Sequence, residues 1–171
     1  MSIAATMAGP APASTAPDNR EGVATRTFDA PRELVFAAMT RPEHLRRWYG
    51  PQGMELAVCE IDLRVGGRFR YVLRTRDGHE AAFSGEYLEV DVPSRVVNTW
   101  VYEPFPASGA VETATWEEDG NGRTTVTMRI AFATAEDYAG WAGAGAYAGW
   151  TETLDRLSAL VAELVAEGGG S

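Results

Sequence analysis

Residues 147–164 read YAGWTETLDRLSALVAEL, and the spacing of their apolar members decides the fold. Tyr147, Trp150, Leu154, Leu157, Val161 and Leu164 recur at intervals of 3, 4, 3, 4 and 3 residues, one continuous stripe along an α-helix. At 1.5 Å per residue that stripe is roughly 26 Å long. Glu152, Asp155, Arg156 and Glu163 fall on the other side, so this helix is built to bury one face against a broad apolar surface.

That surface lies upstream. Turn signals at Arg64-Val65-Gly66-Gly67, Asp77-Gly78, Pro93-Ser94 and Asp119-Gly120-Asn121-Gly122 divide the middle of the chain into a meander. Strands are predicted over 54–61, 67–74, 81–90, 95–102, 111–117 and 124–132. Phe69, Tyr71 and Leu73 share one face of their strand, and Arg68, Arg70, Val72 and Arg74 share the other. Val126, Met128, Ile130 and Phe132 likewise share a face. One apolar face and one arginine-rich face describe an antiparallel sheet covered on one side. Arg68, Arg70, Arg74 and Arg129 are expected on the open side, opposite glutamates on neighbouring strands.

Further towards the N-terminus, Val23 to Phe28 reads as a first strand. Asp29-Ala30-Pro31 then opens a helix, with Asp29 as its expected cap and Leu34, Val35, Ala38 and Met39 as its apolar set. Pro42 starts a second short helix through His44, Leu45 and Trp48, stopped by Gly50-Pro51. Residues 1–20, rich in Ala, Pro, Ser and Thr, are expected to form a disordered tail, and 168–171 a flexible glycine-rich one. A domain over 21–167 remains. The expected fold is α+β, with a curved antiparallel sheet of six to seven strands around a long C-terminal helix.

Composition removes several function classes. The 171 residues carry a formal charge of −9, and all 15 basic residues are arginine. Without lysine there is no Schiff-base chemistry and no phosphate loop ending in Gly-Lys. The acidic balance repels phosphate backbones, so nucleic acid is not an expected partner. The lone Cys59 excludes an internal disulfide and a cysteine-cluster metal site, and a reduced thiol fits a cytoplasmic setting. No apolar run approaches the length that crosses a bilayer, so no membrane insertion is expected. His44 and His79 lack metal-site spacing, and neither metal nor cofactor is implied.

The element order is similar to the helix-grip fold of the START-like (SRPBCC) superfamily, which includes the birch-pollen allergens. Within it, the chain resembles the branch related to the C-terminal domain of the activator of heat-shock-protein-90 ATPase. The resemblance is carried by Phe28-Asp29-Ala30-Pro31 with Val35-Phe36, by Pro42-Glu43-His44-Leu45 and by Trp48-Tyr49-Gly50-Pro51. It continues through Asp62-Leu63-Arg64-Val65-Gly66-Gly67-Arg68-Phe69, Gly85-Glu86-Tyr87-Leu88-Glu89-Val90, Thr99-Trp100, Gly149-Trp150 and Leu154-Asp155-Arg156-Leu157, spanning about residues 23–166. One departure is Ala146, where the resemblance implies a histidine. The fold so implied grips the long helix with an apolar cavity between helix and sheet.

Such a cavity suits a small hydrophobic or aromatic ligand, and the aromatic residues are its candidate walls: Trp48, Phe69, Tyr71, Phe83, Trp100, Trp116, Tyr147 and Trp150. The same rings can instead fill the space as core. Asn98 alternates with Val96 and Trp100, so it points inward as a polar tether if they do, or outward on an edge if they do not. The sequence Gly140-Trp141-Ala142-Gly143-Ala144-Gly145 reads as a mobile connection near the cavity mouth, either a gate or a plain loop. No nucleophile–base pair can be read from spacing, so no catalytic residue is assigned. Three readings stand open: a ligand-binding protein, a polyketide cyclase or aromatase using Tyr71 and Asp62 (with Glu86 a further acid–base candidate), and a co-chaperone-like protein-interaction domain or homodimer using the arginine-rich face.

Overall fold

Seven antiparallel strands form one sheet in the computed structural model, which describes residues 20–169. Of the tails expected over 1–20 and 168–171, residues 1–19 and 170–171 lie outside the described residues, while 168 and 169 continue the last helix. The strands are β1 (Glu21–Phe28), β2 (Met54–Ile61), β3 (Arg68–Thr75), β4 (Glu80–Asp91), β5 (Arg95–Tyr102), β6 (Ala110–Glu118) and β7 (Thr124–Phe132). Their spatial order is β1-β7-β6-β5-β4-β3-β2, a six-stranded meander with β1 closing the far edge beside β7. Register shifts between Leu56 and Val58 and between Tyr87 and Glu89 mark bulges, which bend a sheet sharply.

Two short helices, α1 (Arg32–Thr40) and α2 (Pro42–Trp48), follow β1; α3 (Ala135–Gly143) and the long α4 (Ala146–Gly169) follow β7. The curled sheet wraps α4, the helix-grip arrangement. Leu154, Leu157, Leu160 and Val161 are the buried face of α4, joined in one core with Val35, Leu45, Trp48 and Val126. Leu160 lies beside the predicted stripe and widens it.

The convex face carries the expected cross-strand ion pairs. Arg74 meets Glu80 at 2.7 Å, Arg70 meets Glu103 at 2.9 Å and Arg129 meets Glu21 at 2.8 Å. Exposed pairs of this kind contribute about 0.2–1 kcal/mol each. Val72, between Arg70 and Arg74, is nevertheless only 3% exposed, with Val58 and Ala82 as its cross-strand neighbours.

Three local expectations are corrected. Asp29 does not cap α1: Pro31 occupies the N-cap, and the free Arg32 amide donates instead to Glu118 Oε2 at 3.0 Å, a carboxylate from the end of β6. Residues 140–143, expected in a mobile connection, belong to α3, capped when the Asp137 amide donates to Thr134 Oγ1 at 3.0 Å. Cap and tertiary packing of Trp141 outweigh the weak helix propensity of its glycines. Asp62, an acid–base candidate of the cyclase reading, is exposed and paired with Arg64 at 2.9 Å. The Gly66-Gly67 turn closes through backbone, with the Gly67 amide donating to the Arg64 carbonyl.

Arg26 is buried at 4% exposure, an outcome alternation alone does not reveal. It reaches from β1 to α4, donating to the Leu154 carbonyl at 3.2 Å, Ser158 Oγ at 2.9 Å and Asp155 Oδ1 at 3.1 Å. Burial lowers its pKa, and Asp155 acts against that. This one side chain fastens helix to sheet.

Candidate functional site

A cavity of about 780 Å³ lies between the concave face of the sheet and α4. Large side chains on both surfaces hold them apart, and the sheet's curvature leaves the space between them open. Its wall is mostly aromatic and aliphatic. Phe83 and Trp100 stack at 5.4 Å between ring centroids on adjacent strands, and Trp100 meets Phe132 edge-on at 6.3 Å. From the helical side come Trp150, Leu154 and Trp141, the two indoles edge to face at 5.1 Å. The rim carries Phe105, 65% exposed, beside Glu136 and Asp137 of α3.

Seven of the nine candidate residues border this cavity: Trp48, Tyr71, Phe83, Asn98, Trp100, Trp116 and Trp150. Trp48 also serves the core, its indole N–H donating to the Ala38 carbonyl at 2.8 Å. Trp116 packs edge-on against Phe36 at 4.7 Å. Phe69 and Tyr147 lie elsewhere. Phe69 is buried between Tyr71 and Tyr87, over Gly85, where only a glycine leaves room for its ring. Tyr147 points beyond the cavity, its hydroxyl 3.0 Å from that of Tyr138 and its ring edge-on to Trp141. Both have the right parity, but the neighbours they meet are set by α3 and by the local tilt of the strands.

The polar part of the wall is one rung of the sheet. Tyr87, Asn98, Glu112 and Ile130 are successive register partners across β4, β5, β6 and β7. Asn98, 9% exposed, therefore points inward. Its amide nitrogen donates to Glu112 Oε1 at 3.0 Å and to the Thr99 carbonyl at 2.9 Å. Glu112 borders the cavity and is partly buried. Burial pushes its carboxyl up to about 7, and the Asn98 hydrogen bond acts in the opposite direction. Tyr49, Tyr71 and Tyr87 stand near it; burial holds all three phenols well above their usual value, with the Glu112 charge adding to the effect.

Glu112 is the residue that sequence reasoning missed. Its signal was present: it shares parity with Trp116 on β6 and so falls on the apolar face. Tyr49, Tyr87 and Trp141 were also absent from the candidate set. Cys59 is buried and free, its thiol pushed up by burial, so it is not an activated nucleophile. Glu86 lies on the convex side facing Arg68 at 4.0 Å. Among the described residues no group of three or more His, Cys, Asp or Glu could hold a metal ion, and no helix is long and apolar enough to cross a membrane.

The family described as Activator of Hsp90 ATPase homolog 1-like protein matches residues 29–162. No curated protein matches the chain. Among solved structures, the crystal structure of protein NE0264 from Nitrosomonas europaea is similar at 26% identity and a TM-score of 0.75, covering 89% of this chain and 97% of that one. A solution structure from Staphylococcus epidermidis is 28% identical with a TM-score of 0.72, covering 84% and 90%. The AHSA1 protein from Silicibacter pomeroyi shares the fold at 22% identity and a TM-score of 0.67, covering 83% and 97%.

Proposed function

The chain belongs to the family of Activator of Hsp90 ATPase homolog 1-like proteins, within the START-like superfamily, and on that premise we propose that it binds a small hydrophobic or aromatic molecule between sheet and C-terminal helix. The observation that carries this reading is the cavity itself: about 780 Å³, walled by aromatic rings, with one carboxyl and one amide at its sheet-side wall. That size lies within the range of sites for drug-sized ligands, and that lining, mostly apolar with few convergent polar groups, is their usual chemistry. Apolar burial at about 25 cal/mol per Å² supplies the driving force, and Glu112 with Asn98 sets orientation. The protein acts as carrier, sensor or sequestering agent, in the cytoplasm where Cys59 stays reduced.

Native mass spectrometry of freshly purified protein, followed by extraction and identification of whatever dissociates on denaturation, tests this reading. A stoichiometric hydrophobic adduct is the expected result. Bare protein, together with no thermal shift across a panel of aromatic and lipid compounds, sinks it.

Glu112 also favours a second reading, an enzyme of the cyclase or aromatase type. A carboxyl near 7 inside an apolar cavity, beside phenolic hydroxyls, can take and return a proton at neutral pH. Turnover of a bound polyketide-like chain that is lost in Glu112→Gln while binding persists distinguishes enzyme from carrier. The interaction-domain reading, in which the arginine-rich convex face meets a protein partner, predicts that charge reversal at Arg70 and Arg74 breaks a complex and leaves cavity binding intact.

A further inference from the structure

We propose that the cavity's ligand is a hydrophobic molecule bearing a protonated amine, received by Glu112 and the carbonyl of Asn98. This rests on the cavity being a ligand site and names the class of molecule it takes.

The acceptors at the Asn98–Glu112 rung call for a donor on the ligand, and further along β6 the buried indole N–H of Trp116 is also unpaired. Both partners of the Asn98 amide group, the Thr99 carbonyl and Glu112 Oε1, are acceptors, so the nitrogen must face them and the carbonyl Oδ1 must face away. Among the described residues nothing donates to Asn98 Oδ1, although this side chain is nine-tenths buried, and nothing donates to Glu112 Oε2. Two adjacent acceptors, one of them a carboxyl, are thus without protein donors at the cavity wall. An ammonium with three N–H groups on an apolar body satisfies both.

Charge around the cavity selects in the same direction. The ionisable groups near Glu112 on the sheet are Tyr71 and Tyr87, joined by Tyr49 after α2. From α4 come Trp150, Thr153 and Leu154, which bring no charge. The rim adds two carboxylates, Glu136 and Asp137. Arg129, the arginine that borders the space, turns its guanidinium outward to Glu21 at 2.8 Å, and the chain contains no lysine. A ligand carboxylate entering here meets acidic groups and no available cation. An ammonium meets carboxyls and the faces of Trp and Phe rings, which attract cations.

Three probes of one skeleton test the inference: 1-naphthylmethylamine, 1-naphthalenemethanol and 1-naphthoate, titrated calorimetrically into the full chain at pH 5.5 and pH 8. The expected order at pH 8 is amine, alcohol, carboxylate, with the amine ahead of the alcohol by about tenfold or more. The lead shrinks at pH 5.5, where Glu112 holds its proton, and Glu112→Gln levels amine and alcohol at both values. Equal affinity for amine and alcohol in the native protein at pH 8 overturns the amine assignment and leaves the cavity reading standing. So does an amine preference that survives Glu112→Gln. Failure of all three probes at millimolar concentration overturns both readings together.

Discussion

Asn98 and Glu112 stand directly opposite each other on adjacent strands, and the amide of one donates to the carboxyl of the other at 3.0 Å inside an otherwise apolar cavity. The pair makes the site asymmetric, since it is the polar point on a sheet-side wall made mostly of rings and aliphatic side chains. Asn98→Ala removes the hydrogen bond that favours the ionised carboxyl, so the Glu112 pKa moves further up. The loss of stability is expected to be about 1–3 kcal/mol at pH 8, where the carboxylate is left without its donor, and smaller at pH 5. Urea unfolding at the two pH values measures the difference; an equal loss at both would show that the bond does not sense the charge.

Glu112 also writes itself into the pH dependence of folding. Its folded value of about 7 lies above the ordinary 4.5, so the folded chain holds this proton more tightly than the unfolded chain does. Stability from this group is complete below about 4.5 and declines as pH rises through 7, by on the order of 3 kcal/mol. Glu112→Gln removes that slope. Subtracting its stability profile from the native one between pH 4.5 and 8 isolates the effect, and a flat difference refutes it.

Arg26 and Asp155 form an unequal pair, the first buried and the second half-exposed. Arg26→Ala removes three hydrogen bonds at once, to the Leu154 carbonyl, Ser158 and Asp155, and the packing of a buried side chain, a loss of about 2–4 kcal/mol. Asp155→Ala leaves the other two bonds in place and should cost under about 1 kcal/mol. Equal losses in chemical denaturation would mean that the ion pair alone fastens α4 to β1.

Two glycines separate close packing from helix propensity. A Cβ at Gly85 overlaps the Thr99 carbonyl oxygen and comes within 2.6 Å of the Phe69 ring, so Gly85→Ala should cost several kcal/mol or prevent folding (~3 or more). A Cβ at Gly140 meets nothing within 4 Å, and Gly140→Ala in α3 should stabilise by about 0.5–1 kcal/mol. Thermal melts of the two variants check both signs.

Much of this fold was legible because its signals are local. β5 and β7 begin and end where turn residues and alternation placed them, and α4 follows from one apolar stripe. The failures were at positions where a distant group decides. Glu118 caps α1 from the β6–β7 hairpin, displacing the nearby Asp29. Trp141 sits in a glycine-containing helix because its ring packs over Gly22 of β1, where a Cβ would lie 2.7 Å from the indole. At the site, strand parity assigned Phe69 and the helical stripe assigned Tyr147 to the wall, and both meet rings elsewhere that local periodicity cannot see.

The order of elements, the division of each strand into an apolar and a polar face and the burial stripe of the last helix were determined by the sequence itself, since backbone geometry fixes periods of 2 and 3.6 within a few residues. Tertiary structure decided the rest. Two bulges bend the sheet, the curved sheet stands away from α4, and a volume opens that no local pattern encodes. The fold buries Glu112, a polar residue at the inward parity of β6, and makes it the carboxyl of the site. A side chain's chemistry depends on what lies across the gap, and residues far apart in the chain set that gap.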